Sequence, residues 1–335
     1  MDYSKSSKRI YSIDFLKVVA TLFVIRLHSG IGSYCPAYTY YLAGCAVPLF
    51  FMTNGAFVLN RKPMTWSYAY LKIIKLFRII LLWSLIYVIA YFLYKNTYLN
   101  IVCFIFDSLL QKAALGNFWF LGALILIYLI LPILHQIFNC QQHSPLVLAI
   151  GLGGICVLFD LVSVILFKNG HATIAKMVPQ ICRLWTWLFY FCLGGALFKY
   201  REILIRKITF RKGSLILLAL SIISGPLQYI LVNRWYRYYS PEYAFDNIVI
   251  ILWNTMIMIW CLLLPENKII SVIAKLEPYS MGIYVVHSVL ILGLSMLNLF
   301  NYAIWYINVP VLFITSLTIT YIAIKIPFGK KFVTL

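Results

Sequence analysis

Apolar positions in this chain do not alternate with polar ones; they run in long, nearly unbroken stretches. Ten stand out, at 13–31, 44–59, 77–94, 118–135, 145–167, 183–198, 214–231, 247–264, 280–298 and 303–325. A hydrocarbon layer about 30 Å thick takes about 20 helical residues to cross, and most of these stretches come close to that length. The pattern predicts an all-α fold, a polytopic integral membrane protein of about ten transmembrane helices forming one embedded domain over 1–335. Two segments break the rule. Residues 61–78, RKPMTWSYAYLKIIKLFR, mix bases with Trp66, Tyr68 and Tyr70. They predict an amphipathic helix in the cytoplasmic interface, leading into the third span. Residues 100–115 are apolar but hold Asp107 and Lys112, which predicts an outer interfacial or re-entrant helix and not an eleventh span.

Composition supports the bilayer. Of 335 residues, 63% are hydrophobic and 11% charged, whereas a soluble domain is about a quarter charged. The formal net charge of +19 raises the question of a nucleic-acid partner. The bases cluster between apolar stretches, however, which fits anionic lipid headgroups and sets nucleic acid aside. With ten spans and both termini cytoplasmic, bases favour the inner side by about three to one, a strong positive-inside bias. An eleventh span at 100–115 would carry the cluster from Lys199 to Lys212 outside. The eight cysteines show no metal-ligand spacing, so no metal is expected. Cys35 and Cys45 flank a predicted outer loop and could form a disulfide. The first stretch, with Asp14, Lys17 and Arg26 inside it and further spans after it, does not read as a cleavable signal peptide.

That first stretch is also the strangest. Ionisable groups inside a span are costly and usually face protein or an aqueous cavity. Lys17 and His28 are eleven residues apart, which puts them about 20° from a common helix face and about 16 Å apart along the axis. Asp14 is near enough to pair with Lys17. The face thus carries a positive group low and an imidazole high, the arrangement for an anionic head below and a proton acceptor above. The bland alternative makes Lys17 a topology charge and His28 a helix–helix hydrogen bonder. Arg26 points elsewhere and needs its own polar neighbour or must snorkel. In the ninth stretch Tyr284 and His287 share a face, and the topology puts them in its inner half. His135, His143 and His171 lie at span ends or in loops and carry no such signal.

Five segments, in order, resemble the membrane acyltransferase-3 family, integral-membrane O-acyltransferases of bacterial surface glycans. RIYSIDFLKVVATLFVIRLHS at 9–29 is similar to its opening helix, whose basic residue and His separated by ten fall on Lys17 and His28. VPLFFMTNGAFVL at 47–59, NFWFLGALILIYLILP at 117–132, YFCLGGALF at 190–198 and YSMGIYVVH at 279–287 resemble later motifs. Lys75 and Arg78 are the nearest match to the family's closely spaced bases. Two departures stand out: Lys17 replaces the usual Arg and loses its planar two-pronged grip, and Asn54-Gly55 replaces Ser-Gly.

The resemblance implies about ten helices in the bacterial cytoplasmic (inner) membrane, and transfer of an acyl group, often acetyl, from a cytoplasmic thioester to a glycan hydroxyl. Acetyl-CoA or another acyl-CoA would set its phosphates among Lys17, Lys72, Lys75 and Arg78. His28 would be the base, with His287 a further catalytic candidate. Asn54 or Tyr284 would donate to the developing oxyanion. The expected partners are membrane lipids, acyl-CoA and a surface or lipid-linked glycan arriving past Trp235, Tyr236 and Tyr238. The alternative is a carrier or exporter that moves a glycan or small polar substrate without acylating it.

Overall fold

The structure, a computed structural model, describes residues 10–30, 37–238 and 240–334. Cys35, the candidate disulfide partner of Cys45, lies outside these residues. The described chain is helical, with no strand. Its α-helices are α1 (Tyr11–His28), α2 (Ala37–Ala43), α3 (Ala46–Val58), α4 (Trp66–Lys95), α5 (Ile101–Leu109) and α6 (Trp119–Asn139). Then come α7 (Ser144–Lys168), α8 (Ile174–Met177), α9 (Leu184–Lys199), α10 (Arg201–Lys207) and α11 (Phe210–Tyr229). The last are α12 (Ile248–Leu263), α13 (Lys268–Ala274), α14 (Ser280–Met296), α15 (Trp305–Lys325) and α16 (Lys330–Val333).

Among the described residues, 7 helical runs are long and apolar enough to cross a membrane: Tyr38–Val58, Trp66–Lys95, Gly116–Asn139, Ser144–Lys168, Phe210–Trp235, Lys268–Met296 and Tyr302–Lys325. The protein is therefore a multi-pass membrane protein. The apolar helices α9 and α12 are shorter, and α1 carries Asp14, Lys17 and Arg26. The segment 61–78 does not end as a separate helix. Thr65 caps Tyr68 N, and α4 then runs unbroken for 30 residues to a left-handed Asn96, a residue type that tolerates that conformation. Within 100–115, α5 is a 9-residue helix started by Asn100, whose side chain accepts from Val102 N and Cys103 N.

The core lies between α3 and α9. A Cβ at Gly55 would strike the Phe191 carbonyl, and one at Gly194 the Met52 carbonyl. The two backbones approach so closely that only glycine fits. Phe51 stacks on Trp187 at 4.8 Å beside this crossing, and Trp119 meets Trp187 from α6 at 4.8 Å. Helix α1 sits inside the bundle, touching α2, α3, α12, α13, α14 and α15, whereas α7 and α15 present most of their surface outward.

Gly194→Ala and Gly55→Ala should each destabilise the protein by roughly 1–3 kcal/mol through overpacking. Gly154→Ala is the control, because nothing lies within 4 Å of its added Cβ. Thermal unfolding in detergent should rank the first two below the control, and three equal midpoints would refute the crossing.

Candidate functional site

Helices α1 and α14 touch at two heights in the same chain order, so they run parallel. At one end Lys17 Nζ meets Glu277 Oε1 at 2.8 Å and lies 4.9 Å from the Phe57 ring centroid. At the other end the rings of His28 and His287 are 5.4 Å apart, centroid to centroid. His287 therefore stands level with His28, not in the opposite half of the layer as the span boundaries imply. The reason is that its helical run begins early, at Lys268, and places His287 deep along it. Between the two heights, Thr21 and Val24 continue the face of α1 and are both buried. The face is closed between Lys17 and His28 in this conformation.

His28 opens onto a cavity of about 520 Å³, bordered by Val47, Asn117, Trp119, Glu242 and Ser288 among others. Its side chain is exposed to this space. His287 is fully buried. Its Nδ1 lies 3.0 Å from the Ile283 carbonyl; a carbonyl can only accept, so Nδ1 carries the proton and Nε2 is the acceptor. Ser288 Oγ stands 3.3 Å from that Nε2. The Tyr284 ring is 6.0 Å from His287, and its hydroxyl donates to the Asn117 carbonyl. The Asn117 side-chain amide Nδ2 is buried and makes no hydrogen bond among the described residues. An unpaired buried donor is costly, and Asn117 itself borders the cavity.

Of the four bases chosen from the sequence, three gather and the fourth is engaged by the end of the chain. Lys72 lies in the fields of Lys75, Lys17, Arg61 and Glu277, which gathers four bases at one cationic mouth with Glu277 among them. Arg78 instead donates through Nε to the Lys331 carbonyl at 3.1 Å. With Trp83 Nε1, which donates to Phe332 O at 2.8 Å, it fastens α16. Asn54 donates to the Phe50 carbonyl of its own helix at 2.8 Å. It sits seven residues from Val47, about 10 Å along α3, and so lies between the two ends and away from His28. Arg26 is buried; it donates to Thr39 Oγ1 at 3.0 Å and covers the Trp305 ring at 4.3 Å. Among the described residues, no three His, Cys, Asp or Glu side chains gather as a metal site.

A polar lattice holds the cavity's roof, residues 240–247. Arg183, wholly buried, donates to Gln180 Oε1 at 3.1 Å and to the Glu242 carbonyl at 2.9 Å. It also pairs with Asp246 at 3.4 Å. Asp246 further accepts from Thr186 Oγ1 at 2.6 Å and Trp185 Nε1 at 3.2 Å. Tyr190 donates to the Phe245 carbonyl at 2.7 Å. Tyr236, expected on the acceptor's route, is buried and donates to Asp160 Oδ1 at 2.6 Å. Burial raises the Glu242 carboxyl above the usual carboxylate range, while Gln111 and Arg183 oppose that shift. Glu277, Asn117, Glu242 and Asp246 were not legible as site residues. For the three acids the available signal was scarcity, since the chain holds only 9 acidic residues against 28 basic ones.

A family model described as an acyltransferase domain, Acyl_transf_3, matches residues 10–325. No curated protein and no solved structure matches the chain significantly.

Asp246→Ala strands the buried Arg183 charge and should cost about 3–5 kcal/mol. The combination Asp246→Ala with Arg183→Met should recover part of that loss, because no charge is then left unpaired. Unfolding midpoints of the two variants measure this, and a double variant less stable than the single one would refute it.

Proposed function

The chain belongs to the acyltransferase-3 family and is an acyltransferase, and from that premise we propose that it moves an acetyl group from acetyl-CoA, or a similar short acyl-CoA, on the cytoplasmic side to a hydroxyl of a surface or lipid-linked glycan. The observation that carries the reading is the face of α1. It joins a cationic mouth at Lys17 to an imidazole at His28 that opens on a cavity at the far end. The orientation is part of the proposal: both termini in the cytoplasm, in the cytoplasmic membrane of a bacterium. We count ten spans by adding α1, α9 and α12 to the seven long apolar runs, because α1 is enclosed by other helices that supply partners for its charges. In this arrangement the start of α4 lies in the cytoplasmic interface and α5 in the outer one.

Lys17, Lys72 and Lys75 hold the donor's phosphates, whose charge displaces Glu277 from Lys17. Arg78 is not assigned to this work, since the Lys331 carbonyl occupies its Nε. The donor's thin arm follows the α1 face, where Thr21 and Val24 must yield, over a rise of about 16 Å. The acceptor hydroxyl enters the cavity at His28. Its oxygen bonds to the acyl carbon as His28 takes its proton, the C–S bond breaks, and the proton then passes from His28 to the departing thiolate. His287, held by Ile283 O, fixes the His28 ring by packing against it. The oxyanion that forms at the acyl carbon is assigned to the Asn117 amide, whose N–H is unpaired. Tyr284 positions Asn117 through its carbonyl.

Purified protein with labelled acetyl-CoA and a panel of methyl glycosides tests the reading. His28→Ala should lower transfer by about 100-fold or more, the range of a lost general base. Wild-type turnover in a folded His28→Ala protein would overturn that role.

Asn117→Ala should lower kcat by about 100-fold with little change in the KM for acetyl-CoA, as removal of one oxyanion donor does. An unchanged kcat would return the oxyanion to another donor.

A further inference from the structure

The cavity at His28 has an unusual charge inventory. Of the described residues that line it, Glu242 is the only Asp, Glu, Lys or Arg. The two buried arginines of this end are engaged elsewhere. Arg183 bonds to Asp246 and to the backbone carbonyl of Glu242, and reaches the Glu242 carboxylate only through its field. Arg26 is held under Trp305 and against Thr39. Lys112 neighbours Gln111 in the chain but does not line the space.

The rest of the lining is neutral and amphipathic. Tyr40, Trp119 and Tyr302 supply ring faces, while Gln111, Ser240 and Ser288 supply uncharged donors and acceptors. Apolar ring faces suit the C–H face of a sugar, and a carboxylate suits a pair of hydroxyls or an ammonium. The Glu242 carboxylate accepts from Gln111 Nε2 at a long 3.3 Å, with Gln180 and Ser240 also beside it, and its two oxygens offer about four acceptor sites in all. A negative group facing an enclosed space gains from a donor or cation and repels another anion.

We propose that Glu242 selects the acceptor, so that the cavity takes a hydroxyl carried on a neutral or amine-bearing sugar and turns away sugars that carry a carboxylate or phosphate. The proposal rests on the reading of this cavity as the acceptor's side of an acyl transferase. It narrows the acceptor from any glycan to one whose modified unit has no negative charge.

Equilibrium dialysis with radiolabelled methyl glucoside, methyl glucosaminide and methyl glucuronide, with no donor present, tests it on the full-length protein in detergent. The glucosaminide should bind about tenfold more tightly than the glucuronide, the effect of roughly one attractive against one repulsive charge contact. Glu242→Gln should bring that ratio close to one. This variant keeps the roof's anchor, because Arg183 holds the backbone carbonyl at 242 and not the side chain. A wild-type protein that binds the glucuronide as well as the glucosaminide, or binds none of the three, overturns the proposal without recourse to the variant. So does a ratio that Glu242→Gln leaves unchanged. Adding labelled acetyl-CoA separates the two readings. Selective binding with no acetyl on any glycoside sinks acetyl transfer to sugars and spares Glu242, whereas transfer without selectivity sinks Glu242 and spares the transfer.

Discussion

A helix bearing Asp14, Lys17, Arg26 and His28 can stand in a bilayer only if protein, not lipid, surrounds it, because each ionised group loses its water there. The bundle is arranged to meet that demand. Helices α2, α3, α12, α13, α14 and α15 enclose α1, and its polar groups have partners of different kinds. Lys17 has Glu277 and the Phe57 ring, while Arg26 has Thr39, Trp305 and Tyr40. Even Ser12, at its start, receives the Cys261 thiol at 2.9 Å. Helices α7 and α15, apolar over most of their length, are left on the outside.

Enclosure alone would give an inert core. What makes α1 a site is that its two ends are finished differently. The Lys17 end is a charged mouth in which one acid, Glu277, stands among several bases. That pairing keeps Lys17 from being an uncompensated charge. The His28 end is a cavity whose walls come from widely separated parts of the chain, from Leu27 to Tyr302. Its roof is irregular backbone, which a membrane protein tolerates only when the free carbonyls find donors. Arg183 is that donor for Glu242, and Tyr190 for Phe245.

Some of this was readable along the chain. The spacing of Lys17 and His28 on one face is a property of a single helix, and helical geometry reports it directly. Helix positions were legible for the same reason: stretch 118–135 falls within the run Gly116–Asn139, and 280–298 largely overlaps α14. Boundaries were not always so. The helix expected over 61–78 starts only at Trp66, where Thr65 caps it, and runs on into the third stretch as expected. The pairing of His28 with His287 crosses 259 positions of sequence, and nothing local to either histidine reports the other. Arg183 and Asp246 each sit at the edge of an apolar stretch, where a charge reads as an ordinary loop residue.

Sequence by itself thus determined that the chain is helical, embedded in a membrane, built on the acyltransferase-3 pattern and polarised along its first helix. These properties follow from hydropathy, periodicity and short motifs, which are all local. Tertiary structure decided which candidates share a site. It set α14 parallel to α1, so that Glu277 and His287 meet Lys17 and His28. It withdrew Asn54 and Arg78 from the two ends and brought in Asn117 and Glu242. The physical reason is that apolar helices present nearly interchangeable faces to one another. Which faces meet is decided by close contacts such as glycine against carbonyl at the α3–α9 crossing, and by buried charges finding partners far away in the chain.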